Sequence, residues 1–110
     1  MPNSSVKPDF EQMQARADDA CGVLKAMSNP CRLLILCQLL SSEQPVSVLI
    51  QAVGLSQSAV SQHLAKMRDE GLVSFERRGQ EIFYRIDHPF VKDLLAVLYA
   101  HYCENAQERS

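Results

Sequence analysis

The residue pattern predicts a mostly α-helical domain carrying one small β-hairpin, and three observations drive that reading. Apolar residues recur every three to four positions through most of the chain, the spacing that lines one side of a helix. After Gly71 the period drops to two on both sides of Arg78-Gly79-Gln80, then returns to helical spacing. Between the two regimes lies VSVLIQAVGLSQSAVSQHLAKMRDEG (46–71), where two helical patterns meet at a glycine. At 110 residues and 46% apolar content, the chain fits one domain with enough apolar surface for a core.

Residues 1–8 read as a loose tail, as do 106–110, leaving a single domain over 9–105. From Asp9 to Met27, Phe10, Met13, Ala17, Ala20, Val23-Leu24 and Met27 fall at helical spacing. Ser28-Asn29-Pro30 stops that helix and starts the next: Asn29 is a natural cap, and Pro30 suits a first helical position. The second helix, about 30–41, is apolar almost all round (Leu33, Leu34, Ile35, Leu36, Leu39, Leu40), the mark of a central buried helix. Pro45 precedes a third helix, about 46–53, which Gly54 ends. Ser56 caps a fourth, about 57–70.

Strands at 72–77 and 81–86 then flank Arg78-Gly79-Gln80 as a hairpin. Pro89 opens a last helix, about 89–105, with Phe90, Val91, Leu94, Leu95, Val97, Leu98 and Tyr102 on a broad apolar stripe. A hairpin placed directly after the second helix of a helix-turn-helix is a wing. The first and last helices carry more apolar surface than one small domain needs, so they are expected to build a homodimer.

The fourth helix presents Ser, Gln, His and Lys rather than the Glu and Lys of an ordinary solvent face. Short hydrogen-bonding side chains on a helix propped by a tight turn are what reading base edges in the major groove requires. With Val60 at zero and about 100° per residue, Leu64 and Met67 fall within about 40° and face the core. Ser58, Gln62, Ala65 and Asp69 lie opposite, with Ser61 and Lys66 on the flanks. Gln57, Ser58, Ser61, Gln62 and His63 form the expected base and phosphate contacts, with Lys66 beside them. His63 sits at the core boundary, where packing or capping is as ready a role. Arg77, Arg78 and Gln80 at the wing tip are expected to meet phosphates or a minor groove.

The net charge of −2 counts little against nucleic acid, because the charges are segregated. Residues 1–24 carry two Lys/Arg against four Asp/Glu, and 86–110 repeat that balance. Residues 25–85 carry seven against five. No apolar run approaches membrane-spanning length, and MPNSSVKPDF lacks a signal-peptide core, so a soluble, cytoplasmic protein is expected. In a reducing compartment Cys21, Cys31, Cys37 and Cys103 stand as thiols, with no CxxC pair for a zinc ribbon. Alone, Cys37 reads as a small hydrophobe among Leu33, Leu36 and Leu40. Cys103 lies off the centre of the last helix's stripe and is expected to be partly exposed. Cys31, just past the Asn29 cap, has the best local electrostatics for a thiolate. No catalytic base accompanies any thiol, and no enzyme is expected.

MSNPCRLLIL (27–36), LSQSAVSQHLAKMRDEGLV (55–73) and the wing ending IFYRI (82–86) together resemble the ArsR/SmtB family of winged-helix repressors. The likeness runs over about residues 18–104. LILC (34–37) with LYAHYC (98–103) is similar to the family's persulfide-sensing branch. That resemblance implies a homodimer on pseudo-palindromic double-stranded operator DNA. It also implies release when Cys37 and Cys103 are oxidised or bridged by sulfur, with reactive sulfur or an oxidant as inducer and no cofactor. Two alternatives belong to the same family: a metal-responsive repressor and a virulence-type anti-silencing regulator. The family's two-cysteine metal motif falls where this chain reads SVLIQAV, which has no cysteine. Asp87, His88 and His101 lack the paired histidines of its other zinc site. A thiol enzyme and a pure interaction module are the readings from other classes.

Overall fold

The structure, a computed structural model, describes residues 9–104, and the two expected tails lie outside the described residues. Helix α1 (Phe10–Met27) begins at Asp9, whose carboxylate accepts the Gln12 N–H at 3.1 Å. Helix α2 (Pro30–Leu39) starts on Asn29, whose side-chain oxygen accepts from Cys31 N at 2.9 Å and Arg32 N at 3.1 Å. Pro30 occupies its first turn, where a missing N–H costs nothing.

A short strand β1 (Gln44–Pro45) leads into α3 (Val46–Val53). Gly54 ends α3 at φ 70°, a left-handed geometry that glycine adopts without penalty, and its N–H returns to the Ile50 carbonyl. Ser56 caps α4 (Gln57–Asp69) by accepting the Ala59 N–H at 3.1 Å. Strands β2 (Val73–Arg78) and β3 (Glu81–Ile86) form the hairpin, followed by α5 (Pro89–Tyr99) and a π-helical end at Ala100–Glu104. The order of helix-turn-helix, hairpin and closing helix is a winged helix-turn-helix, as the sequence predicts.

Four details differ from expectation. The sheet has three antiparallel strands in the order β1-β3-β2, with Gln44 opposite Tyr84 and Pro45 opposite Phe83. Two residues are too few to display a period, and proline is tolerated there because β1 is an edge. The hairpin turn is Gly79-Gln80 alone, because Arg78 pairs with Glu81 inside the ladder. Gly79 supplies the positive φ (64°) that such a two-residue turn takes at its first position. The last helix leaves α geometry after Tyr99 instead of continuing to 105.

The fourth difference concerns α2, which is not buried all round. Ile35, Leu36 and Leu39 are buried, whereas Leu34 is 55% exposed and Cys37 is exposed. A helix in a thin domain can bury only one side against its neighbours. The core joins that side to Leu49 of α3, to Val60, Leu64 and Met67 of α4, and to Val91 and Leu95 of α5. The apolar residues left outside include Phe10, Met13 and Leu24 on α1 and Val97 on α5, with Tyr102 just beyond.

Because Asn29 satisfies two of the orphan N–H groups of α2, Asn29→Ala is expected to cost about 1 kcal/mol of unfolding free energy. Urea denaturation reads it as a lower midpoint at unchanged slope.

Candidate functional sites: a recognition helix, a wing and a thiol cleft

Helix α4 is divided sharply by burial. Val60, Leu64 and Met67 are essentially inaccessible, while Gln57, Ser58, Ser61, Gln62 and Lys66 are exposed. Gln57 and Ser61 face the wing across a cleft of about 360 Å³, whose rim includes Ser47, Gln80 and Glu81. Lys66 lies on the other flank, beside Gly22, Lys25 and Glu70.

His63 is half-buried, and its Nδ1 accepts from Arg32 Nε at 3.1 Å. The same Arg32 donates from Nη1 to the Ala26 carbonyl at 3.3 Å. The packing role open to His63 is therefore realised: through Arg32 it ties α4 to α2 and to the end of α1. The sequence gives no sign of this role for Arg32, because its partners lie on two other helices.

The wing has two faces of different character. Val73, Phe75 and Arg77 share one face with their partners Ile86, Tyr84 and Ile82. On it the rings of Phe75 and Tyr84 sit 5.5 Å apart, with the Arg68 guanidinium 5.2 Å from Phe75. The opposite face carries Glu76 and Arg78. Arg78 Nη2 donates to Glu43 Oε1 (2.7 Å), Glu43 Oε2 (2.8 Å) and Glu76 Oε1 (2.9 Å). Its guanidinium also lies 4.7 Å from the centre of the Phe83 ring.

The hydrogen bond and charge of Arg78 hold the Glu76 carboxyl below its ordinary range, with Arg85 adding to the effect. Arg78 thus already has two carboxylate partners, so the expected phosphate contact would have to displace them. Arg77 is exposed at the tip on the face nearer α4. Glu43 carries no local signal in the sequence, since it lies in the loop before β1.

Cys37 of α2 and Cys103 of the π segment line one small cleft, about 170 Å³, with Leu33, Leu95, Leu98, Tyr99 and Tyr102. Burial pushes the Cys37 thiol above its ordinary pKa, and a charge on Cys103 would push it further. Cys21 is exposed on α1 and Cys31 is half-buried in the first turn of α2; neither lines this cleft. Among the described residues, no three His, Cys, Asp or Glu side chains gather in a metal-holding group. No single helix among them is long and apolar enough to cross a membrane.

Residues 29–74 match the family model described as "Bacterial regulatory protein, arsR family". The chain is 48% identical over 96 residues to the HTH-type transcriptional regulator YgaV of Escherichia coli K12, covering 86% of this chain and 97% of that one. The chain belongs to the ArsR family. The Vibrio cholerae transcriptional activator HlyU is 40% identical over 90% of this chain and 92% of its own length. A structure of reduced HlyU superposes with a TM-score of 0.81 at 42% identity, covering 84% of this chain and 98% of that one.

The repressor BigR from Xylella fastidiosa superposes with a TM-score of 0.79 at 34% identity, over 87% and 98% of the two chains. As an ArsR-family member the chain is a winged helix-turn-helix transcription regulator, in a family of regulators rather than enzymes.

The two causes acting on Cys37 can be separated. Thiolate alkylation at Cys37 is expected to rise with pH through a midpoint above that of an ordinary thiol. Cys103→Ser removes the charge contribution and leaves burial, so the midpoint moves down without reaching the ordinary value. Mass-spectrometric alkylation profiles check both parts, and a midpoint unmoved by Cys103→Ser would contradict the coupling.

Proposed function

We propose that this chain is a dithiol-controlled transcriptional repressor. Acting in the cytoplasm, it binds pseudo-palindromic double-stranded operator DNA as a homodimer. It leaves that DNA when Cys37 and Cys103 are oxidised or sulfur-bridged by persulfides, other reactive sulfur species or oxidants. The observation that carries this reading is that two thiols distant in sequence line one apolar cleft, away from the cleft between α4 and the wing.

The chemistry balances with the two thiols alone and a sulfur donor. One thiolate attacks the outer sulfur of RSSH, giving Cys–SSH and releasing RS⁻. The second thiolate attacks the first cysteine's own Sγ, the inner sulfur of the persulfide, expelling the outer sulfur as HS⁻ and leaving a disulfide. A product that retains extra sulfur atoms is a polysulfide bridge.

On the output side, Gln57, Ser58, Ser61 and Gln62 are the side chains of α4 offered to the major groove, with Lys66 on the flank for phosphate. His63, held by Arg32, orients the helix and leaves Nε2 as its remaining polar atom. Arg77 and Gln80 extend the contact from the wing. The exposed apolar residues of α1 and α5 favour a second copy as their cover, which would present two recognition helices to successive turns of the duplex. A modest coupling of about 1–3 kcal/mol between thiol state and DNA binding changes affinity about 5–150-fold.

Cys37→Ser and Cys103→Ser are each expected to bind operator normally and to stay bound after inorganic polysulfide, whereas the unaltered protein releases. Gel shift and intact mass on the same samples, with peroxide and Zn²⁺ arms, provide the measurement. Release by Zn²⁺ alone would replace the dithiol reading with a metal one. For the reading head, Gln62→Ala should lose about 1–3 kcal/mol of discrimination at one base pair, while Arg77→Gln weakens all sequences and lowers the salt slope by about one.

The activator description of HlyU favours a second reading of the output, in which bound protein raises expression by displacing another DNA-bound factor. Reporter expression with and without the gene decides the sign.

A further inference from the structure

Arg32 and His63 meet through a hydrogen bond whose chemistry places a proton. Arg32 Nε donates to His63 Nδ1 at 3.1 Å, and Nη1 of the same guanidinium donates to the Ala26 carbonyl at 3.3 Å. A guanidinium has five N–H donors and no acceptor, and it keeps its charge throughout the range in which proteins work. Nδ1 can accept from it only as a bare ring nitrogen. The single proton of the neutral imidazole therefore sits on Nε2. An imidazolium does not fit this bond, because both of its nitrogens donate. With one donor on α4 and another on the end of α1, the planar fork also sets the direction of the ring.

Nε2 is the polar atom left over. His63 is half-buried, yet among the described residues the buried side-chain atoms without a partner are Ser74 Oγ and His88 Nδ1. Nε2 of His63 is not one of them and has no hydrogen bond among those residues, so it reaches solvent. At about 100° per residue His63 lies about 60° round α4 from Lys66, on the same flank. It is about one turn nearer the end of the helix that enters the groove. Glu70, the acidic residue of that flank, lies about two turns further from the groove. Phosphate oxygens accept hydrogen bonds and never donate them, which suits an N–H at this place.

We propose that His63 is a neutral phosphate contact and that Arg32 is its positioning residue. Arg32 holds the imidazole in the Nε2–H form and turns that donor toward a phosphate oxygen of the duplex, beside Lys66. The inference rests on α4 as the DNA-reading helix, and it adds a contact that brings no charge.

The missing charge is what an experiment can read. A lysine or an imidazolium on a phosphate displaces a counterion and steepens the salt dependence of binding, whereas a neutral donor adds affinity at unchanged slope. His63→Asn keeps an acceptor oxygen near the place of Nδ1 and puts nothing at the place of Nε2. In the full-length protein in neutral buffer, it is expected to weaken operator and unrelated DNA alike, about three- to tenfold, with the salt slope unmoved. A slope lower by about one overturns the proposal, because an imidazolium then makes the contact. Unchanged affinity sinks it as well, and so does a loss confined to one base pair, which marks a base contact.

Arg32→Met keeps the stem and removes the donors. It should give the same uniform loss at the same slope, and combining it with His63→Asn should cost nothing further. Additive losses would mean that Arg32 does not act through His63. A measurement on the unaltered protein stands beside these if a variant fails to fold. Through-hydrogen-bond NMR coupling should join Arg32 Nε to His63 Nδ1, with the imidazole proton on Nε2; a proton on Nδ1, or no coupling, rejects the assignment. Gln62→Ala is the control for the underlying reading. If it also leaves base discrimination unchanged, α4 is not the reading helix, whereas failure of the His63 tests alone removes only this contact.

Discussion

The burial of one side of α2 is the constraint on which the rest of the molecule depends. Ile35, Leu36 and Leu39 fill the centre, and every other helix except α1 sends at least one fully buried side chain to meet them. Each such residue contributes about 1.5–3 kcal/mol relative to exposure. With that side committed, the ends and the far side of the same helix are fixed in space. The N-terminal turn presents Arg32 to His63 and Ala26, which holds α4 against α1. The far side presents Leu33 and Cys37 to the end of α5. The reading helix and the thiol cleft are thus built on opposite aspects of one ten-residue rod.

On the proposed dithiol reading, that arrangement gives the output and the input a short mechanical path. Cys37 lies less than two turns from Arg32 along α2, and Arg32 bonds to His63 on α4. Packed side chains at native density do not deform continuously, so a covalent change beside α2 is absorbed by shifting a rigid element rather than by local give. In a homodimer, where two recognition helices must match successive turns of one duplex, a small rotation at each subunit spoils both half-sites together.

What could be read in the sequence was what local chemistry dictates. Asn29, Pro30, Gly54 and Ser56 mark helix ends through their own hydrogen bonds or backbone freedom, and each stands where it was expected. The buried stripe Val60-Leu64-Met67 follows from period alone. What could not be read depends on distant partners. β1 exists because β3 offers it two ladder positions, and Arg78 is occupied because the loop before β1 places Glu43 beside it. Cys37 reads as core from its leucine neighbours, yet a helix period cannot say how many other elements will cover it. The π turn has no residue signature at all, since AHYCE would continue an α-helix as readily.

The wing shows how the same residue type takes different parts once partners are known. Arg77 and Arg78 are adjacent in sequence, but strand alternation sends them to opposite faces. Arg78 meets two carboxylates and an aromatic ring, so it braces β2 and β3 to the loop before β1. An exposed ion pair contributes little to stability because water screens it, so the effect of this cluster is mainly geometric and electrostatic. Two carboxylates around one guanidinium leave that face of the wing net negative, which disfavours phosphate there; on the proposed reading the duplex would meet the face bearing Arg77. The chain's overall acidity is therefore compatible with the proposed role, because on that reading this negative charge lies on the wing face turned away from the DNA.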